Sequence, residues 1–248
     1  MPVRTAGRAV AVAATATLLT LSVTACGALT TSSNSAASAS PSSSAASATA
    51  VDPAVLAALP ARLEADGTTI TVGDPAVKNV IHVYEDPRCP ICKRFEAAAA
   101  GQLATLAKAG KIKIQYTLAS FLDQNLHGNG SKKAANALRA ALEQGKFPSY
   151  HAVLYENQPE ETVDGFNDAS LLKLAGTVGG LRGTAFDTAV KTQKYGDFVT
   201  KSEQAFVTSG ASGTPTVKIN GKLLESADLQ KLFESTTFAA LLKAKGIG

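Results

Sequence analysis

Between residues 79 and 118 the hydrophobic pattern of the chain changes period twice. Asn79-Val80-Ile81-His82-Val83-Tyr84 is rich in β-branched and aromatic residues and reads as a strand, which Glu85-Asp86-Pro87-Arg88 breaks. From Cys89 the chain runs CPICKRFEAAAAGQLATLAKAG. This is a helix pattern: Pro90 falls in a first-turn position that needs no N–H, Phe95, Leu103 and Leu106 share an inward stripe, and Gly110 ends it. Lys111 to Leu118 alternates again, as a second strand. Strand, helix and strand of these lengths make a βαβ crossover. Cys89-Pro90-Ile91-Cys92 sits at its strand-to-helix switch.

Two cysteines at this spacing have three readings. A structural cross-link gains most when it closes a long loop, and a bridge over two residues closes nearly the shortest loop available. A tetrahedral metal site needs further ligands. The only histidines, His82, His127 and His151, stand apart in sequence, and the single methionine is Met1. No metal is therefore expected. A redox pair needs its first sulfur at a helix N-terminus, where unpaired N–H groups and the helix dipole favour thiolate, and the crossover supplies that position.

The N-terminus bounds the compartment. Arg4 and Arg8 precede an apolar run, AVAVAATATLLTLSV, of signal-peptide length. The run ends in Val23-Thr24-Ala25-Cys26-Gly27, which resembles a bacterial lipobox. The resemblance implies a lipoprotein signal peptide over residues 1–25, cleavage before Cys26, and lipid on the Cys26 sulfur. Residues 27–50 are uncharged and dominated by Ser and Ala, too poor in apolar groups to offset their conformational entropy. As a coil of about 24 residues they would reach roughly 25–30 Å from a membrane. Residues 26–50 are thus expected to be a lipidated tether on the extracytoplasmic face of the cell membrane. The formal charge of the whole chain is +4, and Arg4 and Arg8 carry half of it. No bias toward nucleic acid remains.

A second motif lies far along the chain. Ala211-Ser212-Gly213-Thr214-Pro215-Thr216-Val217-Lys218-Ile219 leads into Asn220-Gly221 and then Lys222-Leu223-Leu224. Asn-Gly between short apolar runs predicts a type I′ hairpin. Ser226 to Lys245 reads as a single helix, with Ser226 its cap and Asp228 in its first turn. Helical patterns fill the middle: Ser131–Gln144 capped by Ser131, then Ser149–Glu156, Asp168–Thr177, Thr184–Thr192 and Asp197–Ser209.

With Cys89-Pro90-Ile91-Cys92 after a strand and Gly-Thr-Pro-Thr before the hairpin, the chain resembles the DsbA-like thiol–disulfide oxidoreductases. The resemblance implies an α/β thioredoxin fold, βαβ … ββα, over residues 65–248. It also implies an inserted all-helical subdomain at about 124–208 that shapes what docks beside the dithiol. It implies a cis bond before Pro215, with Thr214 and Pro215 facing the cysteines and receiving an extended client segment. Exported proteins bearing cysteines would be the clients, a membrane partner would reset the pair, and the redox-active disulfide Cys89–Cys92 would stand in place of a cofactor. In this chemistry an exposed Cys89 forms the mixed disulfide and the more buried Cys92 resolves it. The helix N-terminus and Arg88 favour a low Cys89 pKa, Glu85 and Asp86 oppose it, and Pro90 supports the helix start between the cysteines. Ile91 replaces the histidine of the strongest oxidants in the family, which points to a milder oxidant.

One departure concerns protons. The buried acid that thioredoxin-like proteins often place six residues before the first cysteine is here Val83. Glu85 or a water path could take over its role, although Glu85 reads more readily as a surface carboxylate. Three readings follow: oxidase, dedicated reductase, and a lipid-anchored binding or scaffold protein that has kept the fold.

Overall fold

A computed structural model describes residues 51–248. The signal segment, Cys26 and the tether to residue 50 lie outside the described residues. A six-stranded sheet has the order β1-β2-β4-β3-β5-β6. Its centre is the pair β3 (Val80–Glu85) and β4 (Lys113–Leu118), which run parallel. They are joined by helix α2 (Pro90–Lys108), the crossover read from the sequence. Gly110, at φ +66°, follows the helix as its pattern requires.

Strand β5 (Thr216–Ile219) adds antiparallel to β3, and β6 (Lys222–Leu223) to β5. Between β5 and β6 the turn residues Asn220 and Gly221 both have positive φ, 50° and 78°. These are the signs a type I′ turn demands, and Asn-Gly adopts them readily. The turn is also tied inward, because the Asn220 side-chain oxygen accepts from the Val80 N–H at 2.8 Å.

Ahead of the crossover stand elements that the sequence pattern did not reveal. Helix α1 (Pro53–Ala58) is capped by Asp52, and the three-residue strands β1 (Ala61–Leu63) and β2 (Ile70–Val72) extend the sheet beyond β4. Strands this short carry no measurable alternation. They are fixed instead by pairing and burial: Ile70 and Val72 are in the core, and Leu59 closes over it.

Between β4 and β5 the described residues are helical: α3 (Leu122–Asn125), α4 (Gly130–Glu143), α5 (Phe147–Glu156), α6 (Asp168–Ala175), α7 (Thr184–Lys191) and α8 (Gly196–Thr208). Helix α4 carries an alanine-rich buried face, from Ala134 to Leu142, onto which α5, α7 and α8 pack. Small side chains there allow close approach, and Tyr150 and Phe186 fill the larger gaps edge to face at 5.6 Å.

Two local expectations are corrected. Ser131 is not the cap of α4. Asn129 occupies that position, and Ser131 lies in the first turn with its hydroxyl turned to Asp86. The terminal segment is not one helix capped by Ser226 but α9 (Ser226–Leu229), whose cap position is Glu225, a 3₁₀ turn (Gln230–Phe233) and α10 (Ser235–Ala244). The break is Glu234, extended at φ −138°, ψ 127°. It lets Leu232 and Phe238 both reach the core, with Phe238 edge-on to Phe95 of α2 at 5.9 Å.

Candidate active site

The two thiols are free and occupy the first turn of α2. Cys89 is the N-cap residue, and its Sγ accepts the N–H of Cys92 at 3.4 Å. Pro90 fills the next position, where a missing N–H is harmless. The thiol of Cys89 also donates to the carbonyl oxygen of Thr214 at 3.3 Å. The Thr214–Pro215 bond is cis, so the loop before β5 stands directly against the first sulfur.

That loop changes one expectation. Cys89 was expected to be open, yet it retains 6% of its exposure, against none for Cys92. The order of the two sulfurs is as the resemblance implies, but the opening is narrow. Ile91, 39% exposed, forms the outer lip, and Phe121, Leu122, Leu126 and Tyr155 pack around the pair.

The electrostatics separate the two sulfurs. The Cys89 pKa is lowered to about 6. The hydrogen bond from the Cys92 thiol contributes most, burial opposes it, and the Thr214 side chain with the N–H groups of Cys92 and Ile91 adds to it. Burial pushes Cys92 well above its ordinary value, and the neighbouring Cys89 and Glu85 push it further. One sulfur is therefore prepared as an anion and the other is kept as a thiol.

The strand-to-helix turn is held from the helical insertion. Asp86 accepts from the Arg88 N–H at 2.9 Å, the Ser131 hydroxyl at 2.5 Å and the Leu122 N–H at 3.1 Å. Burial still outweighs these donors and raises Asp86 to about 7. Gln158 donates to the carbonyls of Pro87 at 2.7 Å and Cys89 at 3.0 Å.

Arg88 is placed differently from expectation. It is nearly fully buried, and its guanidinium binds Asp123 at 3.0 Å and the Glu161 carbonyl at 3.0 Å. Asp123 in turn accepts the N–H groups of Ser131 and Lys132, at the start of α4. Arg88 thus anchors the turn to the insertion, and the groups that lower the Cys89 pKa are Cys92, Thr214 and the helix N–H groups. Gly130 leaves room for these side chains, since a Cβ would sit 2.6 Å from an Asp164 oxygen and 3.2 Å from Arg88 Cδ and push both aside.

A further correction concerns Glu85. It is not a surface carboxylate but is completely buried, 2.5 Å from His151 Nε2. On the other side of the imidazole, Nδ1 lies 3.9 Å from Glu96, also buried. Sequence reading missed this cluster because its members lie on β3, α2 and α5. The one available signal was polar: Glu96 and His151 each interrupt an otherwise apolar helix face. The three groups are of types that bind metals and lie within 4.8 Å of one another. Elsewhere His82 stacks on Tyr84 at 4.2 Å and bonds to Thr117.

A dithiol at a helix N-terminus, one sulfur acidic and one not, facing a cis-proline loop on a βαβ–ββα sheet, defines a thioredoxin-fold redox protein. Residues 65–236 match the thioredoxin family. The chain belongs to that family, and within it to the DsbA-like thiol–disulfide oxidoreductases. It is 28% identical to the disulfide bond oxidoreductase DsbG of Mycobacterium tuberculosis in its reduced form (TM-score 0.56), covering 71% of this chain and 82% of that one. It is 26% identical to oxidised DsbA of the same organism (TM-score 0.57), covering 76% and 92%. It is also 30% identical over 170 residues to the serine/threonine-protein kinase PknE of Mycobacterium tuberculosis, covering 64% of this chain. The chain spans about 30% of the length of that curated relative.

Two outcomes follow from the geometry. Alkylation of Cys89 followed against pH has its midpoint near 6. Cys92→Ala raises that midpoint because it removes the largest stabilising contact of the thiolate, and an unchanged midpoint contradicts the assignment. Asp123→Ala leaves Arg88 buried with only the half-exposed Asp164, 3.8 Å away, as a carboxylate partner, and lowers unfolding free energy in urea by about 3 kcal/mol.

Proposed function

We propose that this protein is an extracytoplasmic thiol–disulfide oxidoreductase that gives disulfides to exported proteins through Cys89–Cys92. The observation that carries the reading is the acidity of Cys89, about 6, set beside a neighbour far above its ordinary value. An acidic first thiol is a good leaving group and stabilises the reduced enzyme, so the disulfide is donated readily.

A client thiolate attacks Cys89 Sγ, the Cys89–Cys92 bond breaks, and Cys92 leaves. A second client thiolate attacks the client sulfur of the mixed disulfide, and Cys89 leaves as a stable anion. The client backbone lies along the Thr214–Pro215 loop, and its apolar side chains meet Ile91, Phe121 and Leu126. Cys26 carries lipid and the tether holds the catalytic body near the membrane, where a membrane partner reoxidises the dithiol. No cofactor beyond the cysteines is required. The oxidase direction is favoured over a dedicated reductase because the Cys89 pKa lies below that of thioredoxin, about 7, though above that of the strongest oxidants, about 3.5.

Equilibration with glutathione is expected to give a Cys89–Cys92 potential between about −270 and about −120 mV. A value at or below thioredoxin's removes the oxidase direction. In cell envelopes Cys92→Ala accumulates mixed disulfides on Cys89, and an empty trap removes the enzyme reading in favour of a scaffold. The mass of the mature N-terminus reports the lipid separately, since an unmodified, released chain ends the anchor and leaves the dithiol chemistry untouched.

A further inference from the structure

Cys92 has a proton problem that the cysteines cannot solve. It is fully buried, and with a client covering Cys89 the mouth of the site is closed to water. Yet Cys92 must gain a proton each time the enzyme is reduced and lose it each time it is reoxidised.

Tyr155 shares a buried cluster with Cys92 and faces the His151 ring at 4.9 Å, and around that ring lies a set of titratable groups. Glu85 is the last residue of β3, and its carboxylate raises the pKa of the Cys92 thiol. Glu85 Oε1 is 2.5 Å from His151 Nε2, and His151 Nδ1 is 3.9 Å from Glu96 Oε2. The remaining oxygens, Glu85 Oε2 and Glu96 Oε1, have no hydrogen-bond partner among the described residues, nor does the hydroxyl of Tyr155. Rings face the imidazole from two elements: Tyr116 of β4 at 4.6 Å and Tyr155 of α5 at 4.9 Å.

Glu96 and His151 also line a cavity of about 20 Å³, room for about one water. Ala100, Ala104, Tyr116 and Pro148 complete much of its wall, and Ala100 is only half-buried, so the cavity approaches the surface. Ala100 lies about 16 Å along α2 from Cys89, away from the mouth that a client would block.

We propose that Glu85, His151 and Glu96 form a proton relay between the Cys92 thiol and the water-sized cavity beside α2. The relay rests on the oxidoreductase reading above and assigns the residues that serve its second sulfur. In the oxidase direction the client–Cys89 bond forms, the Cys89–Cys92 bond breaks, and its electron pair leaves on Cys92 Sγ. His151 passes a proton to the Glu85 carboxylate, which delivers it to that thiolate. Glu96 resupplies His151, and cavity water resupplies Glu96. Reoxidation runs in reverse: Cys92 gives its proton to Glu85 and attacks the Cys89 sulfur of a mixed disulfide, releasing the partner's thiolate.

The protonation preferences suit the path. Burial holds Glu96 at about 8, against the pull of His151 and with the push of Glu85. Burial alone would lower His151, but Glu85 and Glu96 together raise it. Glu96 therefore holds a proton near neutral pH, and the carboxylates beside His151 favour its protonated form.

The test is the reaction of the reduced full-length protein with dithio-bis-nitrobenzoate. Attack by Cys89 releases the first nitrothiobenzoate, and attack by Cys92 on the resulting mixed disulfide releases the second. Glu85→Gln and His151→Gln are expected to slow the second release relative to the first by about 10²-fold and to flatten its pH profile. Ala104→Val, which fills the cavity, slows it in the same sense. An unchanged ratio and profile in both relay variants overturns the relay, whereas absence of the first release defeats the oxidoreductase reading itself. A second measurement needs no variant of uncertain folding. The infrared difference between oxidised and reduced wild-type protein is expected to contain a change in carboxylic-acid stretching at low-exchange, buried sites. A difference spectrum without one overturns the relay, as does purification with one divalent metal ion per chain.

Discussion

A sulfur anion held almost out of water is the constraint around which this fold is arranged. Cys89 keeps only a narrow opening, so the stabilisation that water would give a thiolate must come from fixed donors. The first turn of α2 supplies them: the Cys92 thiol and the N–H groups of Ile91 and Cys92. The same Cys92 thiol that stabilises the anion is prevented from ionising by its burial and by the charge it stabilises. The difference between the two sulfurs is therefore one interaction seen from its two ends, and moving either residue by a fraction of an ångström weakens both effects.

This explains why the inserted helices belong to the site. A cap that merely covered the dithiol would need no buried polar groups. Here Ser131, Asp123, Gln158 and His151, all from the insertion, reach the strand-to-helix turn or the groups beneath it. Arg88 and Asp123 form a pair buried almost completely, and such pairs tend to fix one arrangement rather than add stability. Their arrangement here fixes the start of α4 against the start of α2, which sets the position of Cys89 relative to everything that docks above it.

How far the sequence carried this follows from how local each feature is. The β3–α2–β4 crossover and the Asn220-Gly221 hairpin were readable because period, breaker and turn residues lie within one short window. The terminal helix was over-extended, because the break at Glu234 is made by what Leu232 and Phe238 bury and not by a helix-breaking residue. Arg88 looked like a neighbour of the thiol in one dimension, but its partner is Asp123, which no spacing rule connects to it. Glu85 looked like a surface carboxylate for the same reason. Its burial depends on α5, far along the chain, so Val83 at the position of the absent acid could raise Glu85 as a substitute proton carrier but could not show it buried.

Placing carboxylates in the core has a thermodynamic signature that sets them apart from the cysteine. Asp86 and Glu96 bind protons more tightly folded than unfolded, at about 7 and about 8 against ordinary values near 4. The stability these groups contribute is complete below about pH 4 and is lost as pH rises through 7 and 8. Cys89 acts in the opposite sense, because its folded value of about 6 lies below the ordinary 9.0. In the reduced protein it adds stability as pH rises from 6 to 9, and in the oxidised protein it has no proton to lose. In the reduced protein the carboxylates thus weaken the fold with rising pH while the thiolate strengthens it. Measured against a client dithiol of ordinary acidity, whose protons are released when its disulfide forms, the balance shifts toward the reduced enzyme, and hence toward disulfide donation, as pH rises above 6.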